Sequence, residues 1–253
     1  MHDIAATGSP LAGLSLGAIL ADPLLAAMAA AELETVTIRS PSGRSAKGAL
    51  ALPKSPGPAI LLLHEWWGLN DQIRSVAREL AAAGYLALAL DLYDGKLATD
   101  ADTAGKYMGQ LDRGVAMDLM GAAIDWLRKH PKCSGKVGTV GWCMGGGLAL
   151  DASVARPVDA TVVYYGRVDH PPAELQQLKG PVQGHFAERD AWIDHAMVDP
   201  FAAAMKKAGK TLDLHWYEAD HAFGNPTGAN FRKPESELAW RRTLDFFRLH
   251  LGR

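Results

Sequence analysis

Gly141-Trp142-Cys143-Met144-Gly145 sets one cysteine between two glycines, behind the β-type run 136–141 and ahead of the Gly-rich apolar segment 143–155. A strand running into Gly-x-Cys-x-Gly and then a helix is the cysteine form of a nucleophile elbow, a turn so tight that flanking side chains would collide. Gly141 and Gly145 remove those side chains. Such a turn lifts the sulfur clear of the sheet and aims the first N–H groups of the helix at it, favouring a thiolate and an oxyanion alike. Burial as a small filler is the commoner fate of a cysteine, but the strand, the helix and the paired glycines favour the nucleophile. A strand between Cys133 and Cys143 would hold the two cysteines about 20 Å apart, beyond disulfide reach, so the Cys143 thiol is expected to be free.

A nucleophile of this kind needs partners in the chain order nucleophile, Asp or Glu, His. Nine histidines are present. His185 and His215 fall inside predicted strands, His250 at the C-terminal end, His170 in the loop after 160–165, and His195 beside Asp194. His221, in Asp220-His221-Ala222-Phe223-Gly224-Asn225-Pro226, lies directly past the predicted strand 212–217. That is where a catalytic base belongs in an open α/β sheet. The acid is expected after strand 181–186, within Ala187-Glu188-Arg189-Asp190-Ala191-Trp192-Ile193-Asp194. Asp190 is the choice, with Glu188 and Asp194 as rivals; Asp220 adjoins His221, but consecutive side chains of extended chain point opposite ways. No spacing matches a recognised ligand set, so no metal is expected.

Leu63-His64-Glu65-Trp66-Trp67-Gly68 follows a buried strand, at the loop that donates the second oxyanion N–H in such a fold. The backbones of Trp66 and Met144 are the expected donors. Glu65 would face the same cavity, where its charge opposes thiolate formation while its carboxylate can take the thiol proton.

The elements that must position these residues alternate. Residues 36–39 and 47–52 read as a hairpin around Pro41-Ser42-Gly43. The uninterrupted apolar run 59–63 reads as a strand buried on both faces. Asn70 can cap a helix with Ile73, Val76, Ala77, Leu80 and Ala81 on one side and Gly84 as its stop. A strand over 85–90 completes a βαβ unit. There follow a helical region over 101–130, a strand over 136–141, a helix over 143–155, strands over 160–165, 181–186 and 212–217, a helix over 201–208, and a last helix over 235–251 carrying Leu238, Leu244, Phe247 and Leu251 on one side. The alternation implies a mostly parallel central sheet flanked by helices on both faces.

The composition agrees: 48% hydrophobic and 21% charged residues over 253 positions make a folded globule and exclude disorder as the main state. Lys plus Arg number 26 against 28 Asp plus Glu, a net charge of −2, which argues against a nucleic-acid partner. No membrane span is expected. Residues 1–34 read as a helical extension ahead of one domain, 35–253. The apolar run 11–20 faintly resembles an export signal, but 1–10 lacks Lys and Arg, and Asp22-Pro23 interrupts it. A cytoplasmic protein is expected, monomer or dimer, exported only if that run is a signal.

Taken together, Glu65, Gly141-Trp142-Cys143-Met144-Gly145, Asp190 and His221-Ala222-Phe223 resemble the dienelactone hydrolase family, or carboxymethylenebutenolidases, of the α/β-hydrolase superfamily. The resemblance spans roughly residue 35 to the C-terminus. It implies an α/β-hydrolase fold, a Cys143-His221-Asp190 triad, a glutamate, Glu65, that holds or deprotonates the resting thiol, an ester or lactone substrate, a thioester intermediate and no cofactor. Tyr164-Tyr165-Gly166 matches the family's pocket pattern, so Tyr165, with Trp67, Phe223 and Trp192, is a candidate for lining the substrate site. Two arginines that grip the substrate carboxylate in family members acting on dienelactone are missing: none follows His221 until Arg232, and between 94 and 114 only Lys96, Lys106 and Arg113 are cationic. Loss of a bidentate guanidinium favours a neutral or differently shaped ester. A broad carboxylesterase or thioesterase with the same triad, or a silent binding relative, are the alternative readings.

Overall fold

Ala59-Ile60-Leu61-Leu62-Leu63 has no polar side chain, and all of it is fully buried. Alternate residues of a strand face opposite sides, and here both sides are covered. Ile60 and Leu62 pack with Ile73, Val76, Leu80 and Phe247, while Leu61 and Leu63 pack with Met120, Ile124, Leu127 and Leu148. This strand lies in the middle of the sheet, where both of its faces are covered.

The computed structural model describes residues 33–252 together with Ala18 and Asp22. The expected helical extension 1–34 and the apolar run 11–20 lie outside the described residues, apart from those two positions and Leu33 and Glu34. In chain order come β1 (Glu34–Arg39), β2 (Ser45–Ala51), β3 (Gly57–Leu63), α1 (Asp71–Ala82), β4 (Leu86–Leu90), α2 (Ala101–Gln110), α3 (Arg113–Lys129) and β5 (Cys133–Trp142). Then follow α4 (Met144–Ala155), β6 (Ala160–Tyr164), α5 (Pro172–Leu175), β7 (Val182–Ala187), α6 (His195–Lys207), β8 (Leu212–Tyr217), α7 (Lys233–Phe247) and a π-helical turn, Arg248–Gly252. The sheet order is β1-β2-β4-β3-β5-β6-β7-β8. Only β1 with β2 and β2 with β4 run antiparallel; the remaining pairs are parallel.

The chain winds from β3 to β4 on one side and then returns to place β5 on the other side of β3. Loops leaving β3 and β5 therefore diverge to opposite faces and leave a crevice at the carboxyl ends of these strands, the ordinary ligand position of an open α/β sheet. Glu65 and Cys143 stand in those two loops. Among the described residues no helix is long and apolar enough to cross a membrane.

Local signals account for most boundaries. The Asn70 side chain accepts the Ile73 N–H at 3.2 Å and starts α1. The helical region over 101–130 is two helices, because Leu111 is extended and the Asp112 carboxylate caps α3 through the Val115 N–H. α6 begins at His195 rather than at 201: Asp194 caps it, and burial of Val198, Phe201 and Met205 outweighs the helix-breaking tendency of Pro200. The one-turn α5 was not expected, and the last helix widens into the π turn from Arg248 instead of continuing as α-helix to 251.

Between β5 and α4 the backbone leaves no room for substituents. A Cβ on Gly141 would lie 1.9 Å from the Gly145 carbonyl oxygen, and one on Gly145 would lie 2.2 Å from that of Leu63. Both obstacles are main chain of the sheet core and its covering helix. Gly141→Ala is expected to cost about 3 kcal/mol or more, lowering Tm by about 6–12 °C. A thermal melt matching that of the parent chain would show that the turn is looser than this.

Candidate active site

β5 enters α4 through Cys143, which sits at φ 54° and ψ −119°. A non-glycine residue in this region carries about 1–3 kcal/mol of strain. Hydrogen bonds offset it: the Cys143 N–H donates to Tyr164 at 3.0 Å, and the Cys143 carbonyl accepts from Gly146 at 3.0 Å. Burial pushes the thiol up to about 12, the Glu65 charge adds to this and Asp190 adds less, while the backbone N–H groups of Met144 and Trp66 favour the anion. The two amides expected as oxyanion donors thus both bear on this sulfur. At rest the sulfur is a protonated thiol, and both cysteines are free.

His221 follows β8, and its Nδ1 lies 2.6 Å from Asp190 Oδ2. A carboxylate only accepts, so Nδ1 donates and Nε2 is left as the basic nitrogen. Asp190 is itself held, because its Oδ1 accepts the N–H groups of Trp192 and Ile193 at 2.9 and 3.1 Å. The Asn230 side chain donates to the His221 carbonyl at 2.9 Å, and Ala222 takes φ 64°. The hydrogen bonds of the described residues include none between the thiol and the imidazole, so in this resting arrangement the two groups share one cavity without being joined.

The rivals are occupied elsewhere. Glu188 pairs with His195, Asp194 caps α6, and Asp220 pairs with Arg189. His185 is bonded to Tyr217, Gln183 and Thr243 in the core, His215 faces Asp213, and His170 bridges Asp151 and Glu174. His195 stacks on Trp216, and His250 sits against Phe246.

Glu65 is buried in the loop after β3. Its Oε2 accepts from Asn225 Nδ2 at 2.5 Å and its Oε1 from the Tyr165 hydroxyl at 3.4 Å. Burial pushes its carboxyl up to about 7, against the opposing pull of the Asn225 amide, His221 and the Tyr165 hydroxyl. The preceding residue braces the loop: His64 Nε2 accepts the Leu92 N–H, so its Nδ1 carries the proton and donates to the Glu65 carbonyl at 2.6 Å. Burial lowers the His64 pKa and keeps this ring neutral.

These groups open on a cavity of about 830 Å³. Trp66, Trp67, Tyr165 and Trp192 line it, with Met108, Leu111 and Leu148. Trp192 is 67% exposed and meets the His221 ring edge-on at 5.0 Å. Phe223 is a correction to the expected lining: it is fully buried behind Tyr165, against Tyr217, and touches no part of the cavity wall. Its neighbour Ala222 takes the wall position, because the positive φ at Ala222 turns the next side chain inward to the core.

Residues 46–251 match the model of the dienelactone hydrolase family. The chain belongs to the dienelactone hydrolase family. A protein of Saccharolobus solfataricus is 33% identical over 246 residues, which cover 81% of this chain and 95% of its own. The carboxymethylenebutenolidase of Pseudomonas putida is 29% identical over 229 residues, 84% of this chain and 95% of that one. Among solved structures, one named m3DLH superposes with a TM-score of 0.78 at 25% identity over 87% of this chain and 99% of its own. A dienelactone hydrolase-like promiscuous phosphotriesterase from metagenomic libraries, at 21% identity and a TM-score of 0.77, shares the fold over 87% of this chain and 99% of its own. This is a dienelactone hydrolase-like hydrolase with the α/β-hydrolase fold.

Two cations stand in the lining of the cavity. Arg113 and Arg167 line it, and both are paired within the chain, with Asp151 and Asp169. Both guanidinium groups are about two-thirds exposed, so they stand at the mouth. Sequence reasoning named Arg113 only as a cation of its segment and missed Arg167, Asp151, His64 and Asn225. Asn225 carried a signal, an Asn-Pro turn four residues past His221, but nothing in the sequence pointed its amide at Glu65.

The buried Glu65 makes the fold pH-sensitive. Its carboxyl binds a proton more tightly folded, at about 7, than at its ordinary value of 4.5, so folding takes up a proton in that window. The Glu65 contribution to stability is therefore full below about 4.5 and is lost as pH rises through about 7. Glu65→Gln keeps the shape and removes the buried charge, so it should stabilise the chain at pH 8 by on the order of 3 kcal/mol and hardly at all at pH 4.5. Urea unfolding of both proteins at the two pH values measures this; an equal effect at both would refute the buried charge.

Proposed function

We propose that the chain hydrolyses uncharged carboxylic esters or lactones through Cys143, with His221 and Asp190 as its base and orienting acid and Glu65 as an auxiliary proton acceptor. The observation that carries this reading is the convergence on one strained cysteine: two backbone N–H groups bear on its sulfur, and an imidazole braced by a buried carboxylate opens on the same cavity. The family relationship and the lactone-cleaving name of the Pseudomonas putida relative support it.

In this mechanism the thiol proton ends on His221 Nε2, directly or by way of Glu65. The thiolate attacks the carbonyl carbon, and the charge that develops on the carbonyl oxygen is met by the N–H groups of Trp66 and Met144. Collapse breaks the C–O bond to the alcohol, which leaves with the proton from His221, and a thioester remains. Water then gives a proton to His221 and attacks the thioester; the acid departs, and the sulfur regains its proton. Two features support an uncharged substrate: the wall is mainly tryptophan and aliphatic, and the two lining arginines already have carboxylate partners. A substrate carboxylate would compete with those partners at the exposed mouth, where an ion pair is worth at most about 1 kcal/mol.

Cys143→Ala should lower kcat/KM on p-nitrophenyl butyrate by about 10³-fold or more. Cys143→Ser should leave only a weak activity, since an alkoxide is harder to generate. Turnover by the alanine variant at the parent rate would remove Cys143 from the mechanism. On the parent enzyme, a methyl ester should be preferred over the same lactone or ester bearing a free carboxylate by at least about tenfold, near 1.4 kcal/mol. The opposite order would overturn the uncharged substrate class.

A further inference from the structure

Asn225 is 2% exposed and stands in the loop that carries His221. Its amide is held in one orientation. Oδ1 accepts the Thr227 N–H at 2.9 Å and the Thr227 hydroxyl at 2.7 Å, which leaves Nδ2 for Glu65 Oε2 at 2.5 Å. A carboxylate has no hydrogen to donate, so the nitrogen must be the atom that faces it. Asn225 also lines the cavity wall between Ala222 and Gly228.

We propose that Asn225 is the positioning residue for Glu65: its amide, locked by Thr227, bonds Oε2, favours the carboxylate form against the pull of burial, and leaves Oε1 as the oxygen that takes the Cys143 proton. Oε1 keeps only the long 3.4 Å contact from the Tyr165 hydroxyl and so has acceptor capacity to spare. The titratable groups that face Glu65 are Tyr165 from the loop after β6, Cys143 at the head of α4 and His221 from the loop after β8, with Asp190 behind the imidazole. None is a fixed cation. A neutral amide is therefore the strongest single donor holding the negative charge, and a hydrogen bond to an ionised group is worth about twice a neutral one. The proton step balances: the S–H bond breaks, an O–H bond forms at Oε1, and the negative charge moves from carboxylate to sulfur.

This inference rests on the cysteine mechanism proposed above only for its catalytic consequence, and the test separates the two. Asn225→Leu removes the donor, and Asn225→Asp replaces it with a second carboxylate of the same shape. In both, the acid limb of the kcat/KM profile on p-nitrophenyl butyrate should move to higher pH, by one unit or more. The shift should be larger for Asp, because like charges disfavour ionisation. Thr227→Val, which loosens the amide without touching Glu65, should move it the same way by less. The Glu65 carboxyl is also read directly, by carbon-13 NMR titration in a Cys143→Ala background with and without Asn225→Leu. A titration that moves upward with the substitution supports the assignment even if the chain proves inert toward esters. An unmoved Glu65 titration, or a lowered kcat with an unchanged acid limb, would reduce Asn225 to a loop anchor and overturn the proposal.

Discussion

One strained turn governs this molecule. Cys143 can hold φ 54° only because β5 behind it is bonded on both edges to parallel strands, and α4 ahead of it is packed on the sheet. That rigidity keeps about 1–3 kcal/mol of strain from relaxing. The described non-glycine residues with positive φ are Asp94, Cys143, Tyr165 and Ala222, and all but Asp94 line the cavity. Strain is thus concentrated where β5, β6 and β8 deliver their loops to the same crevice, while the sheet beneath is regular.

A second constraint is electrostatic. Glu65 is buried beside the partly buried Cys143, and its charge raises the cost of ionising the thiol. The cavity favours one negative charge shared between them over two. Moving a proton from sulfur to carboxylate then relocates a charge already present, whereas a lone buried thiol would have to create one in a low-dielectric site. The backbone N–H groups of Trp66 and Met144 bias the charge toward the sulfur, and the Asn225 amide biases it toward the carboxylate. The resting balance lies with the carboxylate, so the sulfur rests as the weakly nucleophilic thiol.

The substrate end of the cavity follows another logic. Its apolar wall is contributed by residues from the loop after β3, from α2 and from the loop after β7, elements far apart in the chain. Arg113 and Arg167 reach it from the start of α3 and the loop after β6, each neutralised by a partner on α4 or beside it. Charge at the mouth is therefore balanced within the protein rather than left for a ligand.

Much of this was legible without coordinates. The apolar run of β3, the Asn70 cap, the Gly-x-Cys-x-Gly turn and the position of His221 past β8 are local facts, set by side-chain size, periodicity and the order of elements. Helix boundaries failed where a local signal was outweighed, as at Pro200, or was too small to read, as at the Asp112 cap. The acid was not decided locally either: Glu188, Asp190 and Asp194 lie within one short loop, and only the folded chain turns the first toward His195, the second toward His221 and the third onto the N-terminus of α6. Phe223 illustrates the same limit, since one positive φ at Ala222 sends it into the core. Residue type and the order of elements mark the side chains with the right chemistry and the strands that carry them. Tertiary structure alone decided which side chains meet, because hydrogen-bond partners such as Asn225 and Glu65 are 160 residues apart and no local pattern encodes the direction in which either points.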